Sequence, residues 1–114
     1  MNYNLDQSAI PRGIGRQTIL RAIPRRMKHH FGEPVHWKGD DECLGNYMFL
    51  SEGGAIHTVY AMAYDSPKKL TAKSRAAFWE HSGLSELHIG AKSPVEAETF
   101  KLWLLEKLSH GPSF

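Results

Sequence analysis

A chain of 114 residues, 41% of them hydrophobic, can bury one core, which argues against a disordered chain and predicts a single domain over 1–114. One cysteine excludes an internal disulfide, and the chain shows neither a signal peptide nor a membrane-spanning apolar run, so we expect a cytoplasmic protein. The net charge is +2, and the charged residues are unevenly distributed along the chain. Residues 1–38 hold seven Lys and Arg against two acidic residues, whereas residues 39–114 hold seven against ten. The N-terminal third is therefore the positive end of the chain.

The N-terminal segment 1–15 is predicted to be irregular, because Pro11, Gly13 and Gly15 interrupt it and its apolar residues have no period. Residues 18–22 are compatible with one or two turns of helix. No strand is predicted in this part of the chain.

A short helix is predicted from Pro24 to about Phe31. Proline is favoured at the first helical position, and Gly32 is a favoured stop signal. Met27 and Phe31 are four residues apart and can face inward together. The basic residues between them then point mostly outward.

An antiparallel hairpin is the strongest local signal. Residues 44–50 and 55–64 are rich in β-formers and are joined by a Gly-Gly turn at 52–54. The small residues of the second strand form one face, which suits packing against a helix. That face holds Ala55, His57, Val59, Ala61 and Ala63, and the opposite face holds Ile56, Thr58, Tyr60, Met62 and Tyr64.

The residue pattern of the C-terminal half predicts one more strand and a long helix. Residues 71–82 fit either a helix or an ordered loop, and residues 87–89 form a short strand. Ser93, Pro94 and Glu96 then match a capping box with proline at the first helical position. The inward stripe of this helix is Ala97, Phe100, Leu104 and Leu108.

The order of elements predicts an α+β fold. The economical arrangement is a three- to four-stranded antiparallel sheet with the N-terminal and C-terminal helices packed on one face.

Residues 31–108 resemble a group of small bacteriophage-encoded α+β proteins of unknown function. The shared features are an acidic-Gly turn before a Thr-Val-Tyr strand and a His-Ile-Gly segment before a terminal helix. Leu87 and Ala91 depart from the pattern, since an aromatic residue and a second glycine are common there. The matching positions are Glu52, Gly53, Thr58, Val59, Tyr60, His88, Ile89 and Gly90.

The resemblance implies a bacteriophage origin, a host-cell cytoplasmic location and a small α+β domain. Small phage proteins often act on a host system, so it also suggests a host macromolecule as partner, including a CRISPR or other immune component. It carries no catalytic residues to transfer.

The candidate binding site is the basic segment near the N-terminus. Arginine forks match phosphate and carboxylate oxygens, and a tryptophan beside them is a typical interface anchor. The alternative is a solvated helix face. The candidate residues are Arg16, Arg21, Arg25, Arg26, Lys28, His29, His30 and Trp37.

Two partner classes remain open at this point. The first is a host protein or nucleoprotein complex that the positive field attracts. The second is a phosphate-rich ligand, either nucleic acid or a signalling nucleotide, although the pI of 8.8 is below the value of about 9 that is usual for nucleic-acid domains. The sequence does not predict the oligomeric state.

No enzyme, metal or cofactor is predicted. No His pair has metal-ligand spacing within a predicted helix, and Cys43 has no second cysteine to form a motif. A triad can be drawn from His88 with Glu86 or Asp65 and with Ser51 or Cys43 as nucleophile, but nothing in the spacing selects it.

Overall fold

An antiparallel sheet forms the centre of the structure, a computed structural model that describes residues 2–36, 42–63 and 70–110. Within these ranges the sheet has five strands, and three helices lie on one of its faces. The α+β class is confirmed, with five strands where the sequence predicts three or four. The elements are β1 (Tyr3–Leu5), β2 (Gly15–Ala22), α1 (Pro24–Phe31), β3 (Cys43–Ser51), β4 (Ile56–Met62), α2 (Ala72–Trp79), β5 (Ser85–Ala91) and α3 (Pro94–Ser109).

The strand order is β1-β3-β4-β5-β2, with every neighbouring pair antiparallel. The two strands nearest the N-terminus therefore occupy opposite edges of the sheet. Residues 6–14, the crossover segment, connect them over the face that the helices leave uncovered. There Pro11 and Ile14 line a pocket of about 350 Å³ together with Thr58 and Tyr60.

The predictions for the N-terminal residues are wrong in two places. Tyr3–Leu5 forms an edge strand inside the segment predicted to be irregular, and residues 18–22 belong to a strand rather than to a helix. Leu20 and Ala22 are buried while Arg21 between them is exposed. This two-residue period is that of a strand with one face on the core.

The predicted hairpin is present as β3 and β4. The small face of β4 packs against the helices as expected, since Val59 and Ala61 are buried there. His57 lies on the same face, and its ring centroid is 5.1 Å from that of Phe100 on α3. β4 ends at Met62, so Ala63 of the predicted second strand is not part of it, and Tyr64 lies outside the described residues.

Both confirmed helices begin at the predicted proline, and α3 shows the Ser93 half of its predicted capping box. α1 begins at Pro24 and ends before Gly32, whose φ of 80° is a left-handed value that glycine adopts easily. In α3 the Ser93 side chain accepts a hydrogen bond from the Glu96 backbone N–H at 3.2 Å. The buried residues of α3 are the predicted stripe of Ala97, Phe100, Leu104 and Leu108.

The structure resolves the open choice for part of the segment 71–82. Residues 72–79 form α2, because Thr71 caps the helix by accepting a hydrogen bond from the Ser74 N–H. Trp79 at its end is only 2% exposed, and its indole N–H donates to the Leu44 carbonyl at 3.0 Å. Trp79 is therefore a core residue.

None of the helices in the described ranges is long and apolar enough to cross a membrane.

Candidate functional site

The predicted basic segment divides between a strand and a helix. Arg16 and Arg21 are exposed on β2, where the strand register places Arg21 opposite Glu86 of β5. Because the neighbours of Arg21 face the helices, Arg21 itself projects from the opposite face of the sheet. Trp37 lies outside the described residues. The other members are all on α1: Arg25, Arg26, Lys28, His29 and His30.

Helix α1 is fixed to the core by its apolar side. Met27 is fully buried, and the ring centroid of Phe31 is 5.0 Å from that of Phe49 on β3. Arg25 and His29 are exposed and, four residues apart, share the solvent side of the helix. The predicted orientation of the apolar pair and of these two basic residues is confirmed.

Lys28 is engaged by the protein's own carboxylates. Its ammonium lies 3.1 Å from Glu33 and also forms an ion pair with Glu80, which follows α2. The hydrogen bonds to Glu80 and Glu33 raise the pKa of Lys28, and the bond from Lys28 lowers the pKa of Glu80. One of the predicted partner-binding cations is thus already partly neutralised.

Arg26 has a structural contact. Its guanidinium Nη1 donates to the backbone carbonyl of Leu108 at 2.9 Å. Carbonyls in the last turn of a helix lack intrahelical donors, so this hydrogen bond caps α3 at its C-terminal end. Arg26 therefore links α1 to α3 and contributes less to an outward-facing surface than the sequence predicts.

The two neighbouring histidines differ in their surroundings. His29 is exposed, whereas His30 is half-buried and its ring lies near those of His29 and Phe31, with centroids 5.3 and 5.9 Å away. Burial lowers the pKa of His30. At neutral pH His30 therefore adds little positive charge to the helix.

Three basic side chains lie together on the outer side of this region, one of them the Lys28 that pairs with Glu33 and Glu80. We call Arg25, Lys28 and His29 the α1 basic surface. With Glu80 they line a shallow depression of about 240 Å³. Such a site offers forked and point-charge hydrogen-bond donors to an anionic group.

Among the triad residues considered above, His88 and Glu86 are in contact, whereas Ser51 lies far from them. His88 Nε2 lies 3.4 Å from Glu86 Oε2. The register places His88 opposite Tyr60 of β4, and Tyr60 opposite Asn46 of β3. Ser51 is five residues farther along β3 than Asn46, a distance of about 17 Å along the strand, so it is out of reach of His88. Asp65 is outside the described residues. Among the described residues no three His, Cys, Asp or Glu side chains are grouped to hold a metal ion.

Sequence reasoning missed the acceptors that hold these cations. Glu80 is 52 residues from Lys28, and Leu108 is 82 residues from Arg26, so no local pattern points to either contact. Glu33 is the exception, because it follows Lys28 closely just after the end of the same helix. That local acidic residue was a signal available from the sequence.

No protein-family model matches the chain, and no curated protein matches it either.

Proposed function

We propose that this protein is a binding module that docks the α1 basic surface onto an acidic region of a host protein. The observation that carries the proposal is the exposed pair Arg25 and His29, held on the solvent side of a helix whose other side is buried in the core. Because the backbone of α1 is already packed on the core, binding needs to order only the side chains of this surface. The positive N-terminal third also favours fast encounter with an acidic partner.

The distribution of the basic residues favours a localised protein-binding surface over a continuous nucleic-acid-binding groove. Arg16 and Arg21 project from the uncovered sheet face, while Arg25 and His29 project from the helical layer. Carboxylates lie among them, with Glu80 beside the α1 basic surface and Glu86 opposite Arg21. A phosphate backbone is bound best by a continuous positive groove.

A bacteriophage origin and an immune-defence target are part of the same proposal. They rest on the resemblance of residues 31–108 to small phage proteins. Inhibition of the bound host component is the simplest outcome, because a protein of this size can cover a partner's functional surface.

The test is capture from a bacterial lysate by the immobilised protein, with and without nuclease. The test variant is Arg25→Glu, and the matched control is Lys73→Glu, which makes the same charge change at an exposed lysine on α2. We expect a protein that the wild type and Lys73→Glu retain, that Arg25→Glu loses by tenfold or more, and that nuclease leaves in place.

Two results would contradict the proposal. Equal retention by both variants means that α1 does not form the contact. Retention that disappears with nuclease, and that weakens steeply with salt, assigns the surface to phosphates instead. Nuclease-sensitive retention would instead support the second partner class predicted from the sequence, a phosphate-rich ligand.

A further inference from the structure

A separate cavity lies at the other end of α3 from the α1 basic surface. It has a volume of about 230 Å³ and is lined by Tyr3 of β1, His57 of β4 and Val95, Glu96 and Thr99 of α3, among others. We call it the α3 pocket. Glu96 and Leu108, at the two ends of α3, are twelve residues apart, which corresponds to about 18 Å along a helix. The pocket is therefore independent of the proposed docking surface.

His57 presents a hydrogen-bond acceptor in this region. The residue is only 2% exposed. Its Nδ1 lies 3.3 Å from the Ala55 carbonyl, which can only accept, so Nδ1 carries the proton. Nε2 of the neutral ring is then an acceptor, and among the described residues it has no hydrogen-bond partner.

Glu96 presents a second acceptor. Its Oε2 is buried and likewise lacks a hydrogen-bond partner within the described part of the chain. The negative charge of Glu96 raises the pKa of Tyr3, after the larger effect of burial, so the carboxylate acts electrostatically on the pocket wall. A buried carboxylate oxygen without a donor is costly, and a donor that entered the pocket would remove that cost.

Two hydroxyl groups of the lining take part in local hydrogen bonds. Thr99 donates to the Val95 carbonyl at 3.0 Å, and Ser51 accepts from the Ala55 N–H at 3.1 Å. Within the described residues, the buried lining atoms without a hydrogen-bond partner are two acceptors, one of them anionic, and Tyr3 lies beside them in the same lining. An anionic ligand would be repelled, whereas a cation with several N–H groups meets both acceptors and an aromatic face.

We propose that the α3 pocket binds a small ammonium or guanidinium group, with Glu96 as its counter-ion and His57 Nε2 as a second acceptor. The size of the pocket supports a small occupant, because its 230 Å³ is below the range of about 300–1,000 Å³ for drug-sized ligands. The group can belong to a free amine or to a lysine or arginine side chain of a polypeptide. Both sources share this chemistry.

The experiment is an NMR titration of the full chain with methylguanidinium, followed through the backbone amides of Glu96 and Thr99 and the imidazole of His57. We expect saturable shifts with a Kd of roughly 1 mM, as for other ligands of very few atoms. N-methylurea, which has a similar shape but no charge, should bind at least about tenfold more weakly. A blocked Gly-Arg-Gly peptide distinguishes the sources, because it binds only if the pocket admits a side chain attached to a polypeptide.

The variants make the assignment specific. Glu96→Gln should weaken methylguanidinium binding tenfold or more, while Glu98→Gln, the same change at an exposed position of α3, should leave it unchanged. If Glu96→Gln is not folded, Thr99→Leu tests the same site, because it enlarges an exposed pocket residue at little cost to the helix. The proposal is overturned if methylguanidinium causes no saturable shift, if N-methylurea binds equally well, or if a folded variant at position 96 or 99 binds like the wild type. Any of these results would mean that the pocket is a hydrated cavity and not a site for a cationic ligand.

Discussion

Arg25 and Arg26 are adjacent in sequence but have different surroundings. Arg25 is exposed beside Lys28 and His29, whereas Arg26 donates to the last turn of α3. A double substitution of both arginines would therefore mix a binding effect with a stability effect. The two roles have to be tested with single variants.

Arg26→Ala should destabilise the protein, because it leaves the Leu108 carbonyl without its donor. A hydrogen bond from a charged group contributes about 1.5–3 kcal/mol, and the half-buried position of Arg26 brings the expected loss to about 1 kcal/mol. Urea denaturation measures it. Arg25→Ala is the control and should change the free energy of unfolding by less than about 0.5 kcal/mol. Equal losses for the two variants would contradict the assignment.

Gly90 is a second residue whose role depends on its neighbours. A Cβ at this position would overlap the Thr58 hydroxyl oxygen and lie 3.0 Å from the Ile14 side chain. The absence of a side chain lets the crossover segment approach β5 closely. By contrast, a Cβ at Gly15 would meet no atom within 4 Å.

We therefore expect Gly90→Ala to lower the free energy of unfolding by about 1–3 kcal/mol, the usual cost of overpacking. Gly15→Ala should be neutral or slightly stabilising, because alanine restricts the unfolded chain more than glycine does. Thermal unfolding of both variants makes the comparison. Adding Thr58→Ala to Gly90→Ala should recover part of the loss, and a strictly additive double variant would contradict the contact.

At the scale of elements, the parts with complete local signals were predicted well. α1 has its proline start and glycine stop, α3 has its cap and apolar stripe, and the hairpin has its Gly-Gly turn. β1 and β2 lack such signals. β1 is three residues long, and β2 is defined by its pairing with β5, which is about 70 residues away in the chain. Pairing over that distance leaves no pattern in a short window of sequence.

The cap of α3 gives a direct test at this scale. Ser93→Ala removes the acceptor for the Glu96 N–H and should cost about 1 kcal/mol of unfolding free energy. Ser93→Asp is the matched control, because a carboxylate accepts the same bond and interacts favourably with the helix dipole. Chemical denaturation of the two variants checks the difference. A loss as large for Ser93→Asp as for Ser93→Ala would show that the cap contributes nothing specific.

At the scale of the whole molecule, the candidate site was only half predictable. The positions of Arg25 and His29 on the outer side of α1 follow from a 3.6-residue period. The partners of Lys28 and Arg26 come from α2 and α3, so only the fold brings them together. The α3 pocket was missed for the same reason, although the sequence held one signal: His57 is a polar residue on the small, inward face of β4.

The buried histidines predict how global stability depends on pH. Burial lowers the pKa of His57 below its ordinary value of 6.5, and His30 shifts in the same direction. The unfolded chain then binds more protons than the native protein at mildly acidic pH. The contribution of these residues to stability is complete above about pH 7, begins to be lost as the pH falls below 6.5, and is fully lost below their lowered native pKa values.

His57→Phe should flatten this dependence while it retains an aromatic ring against Tyr3 and Phe100. Urea unfolding of wild type and variant at a series of pH values between about 5 and 8 measures the slope. The remaining slope is expected to come largely from His30. An unchanged slope in His57→Phe would contradict the assignment to His57.

The strand order has a consequence for how the protein is made. β2 completes its hydrogen bonds only with β5, so residues 15–22 leave the ribosome long before residues 85–91 exist. At about 5–20 residues per second, the delay is roughly 4–14 s. During that interval the arginines of β2 are carried on an unpaired strand. The sheet is therefore completed only when β5, the last strand to be synthesised, pairs with β2. A nascent chain stalled before β5 cannot assemble the complete sheet.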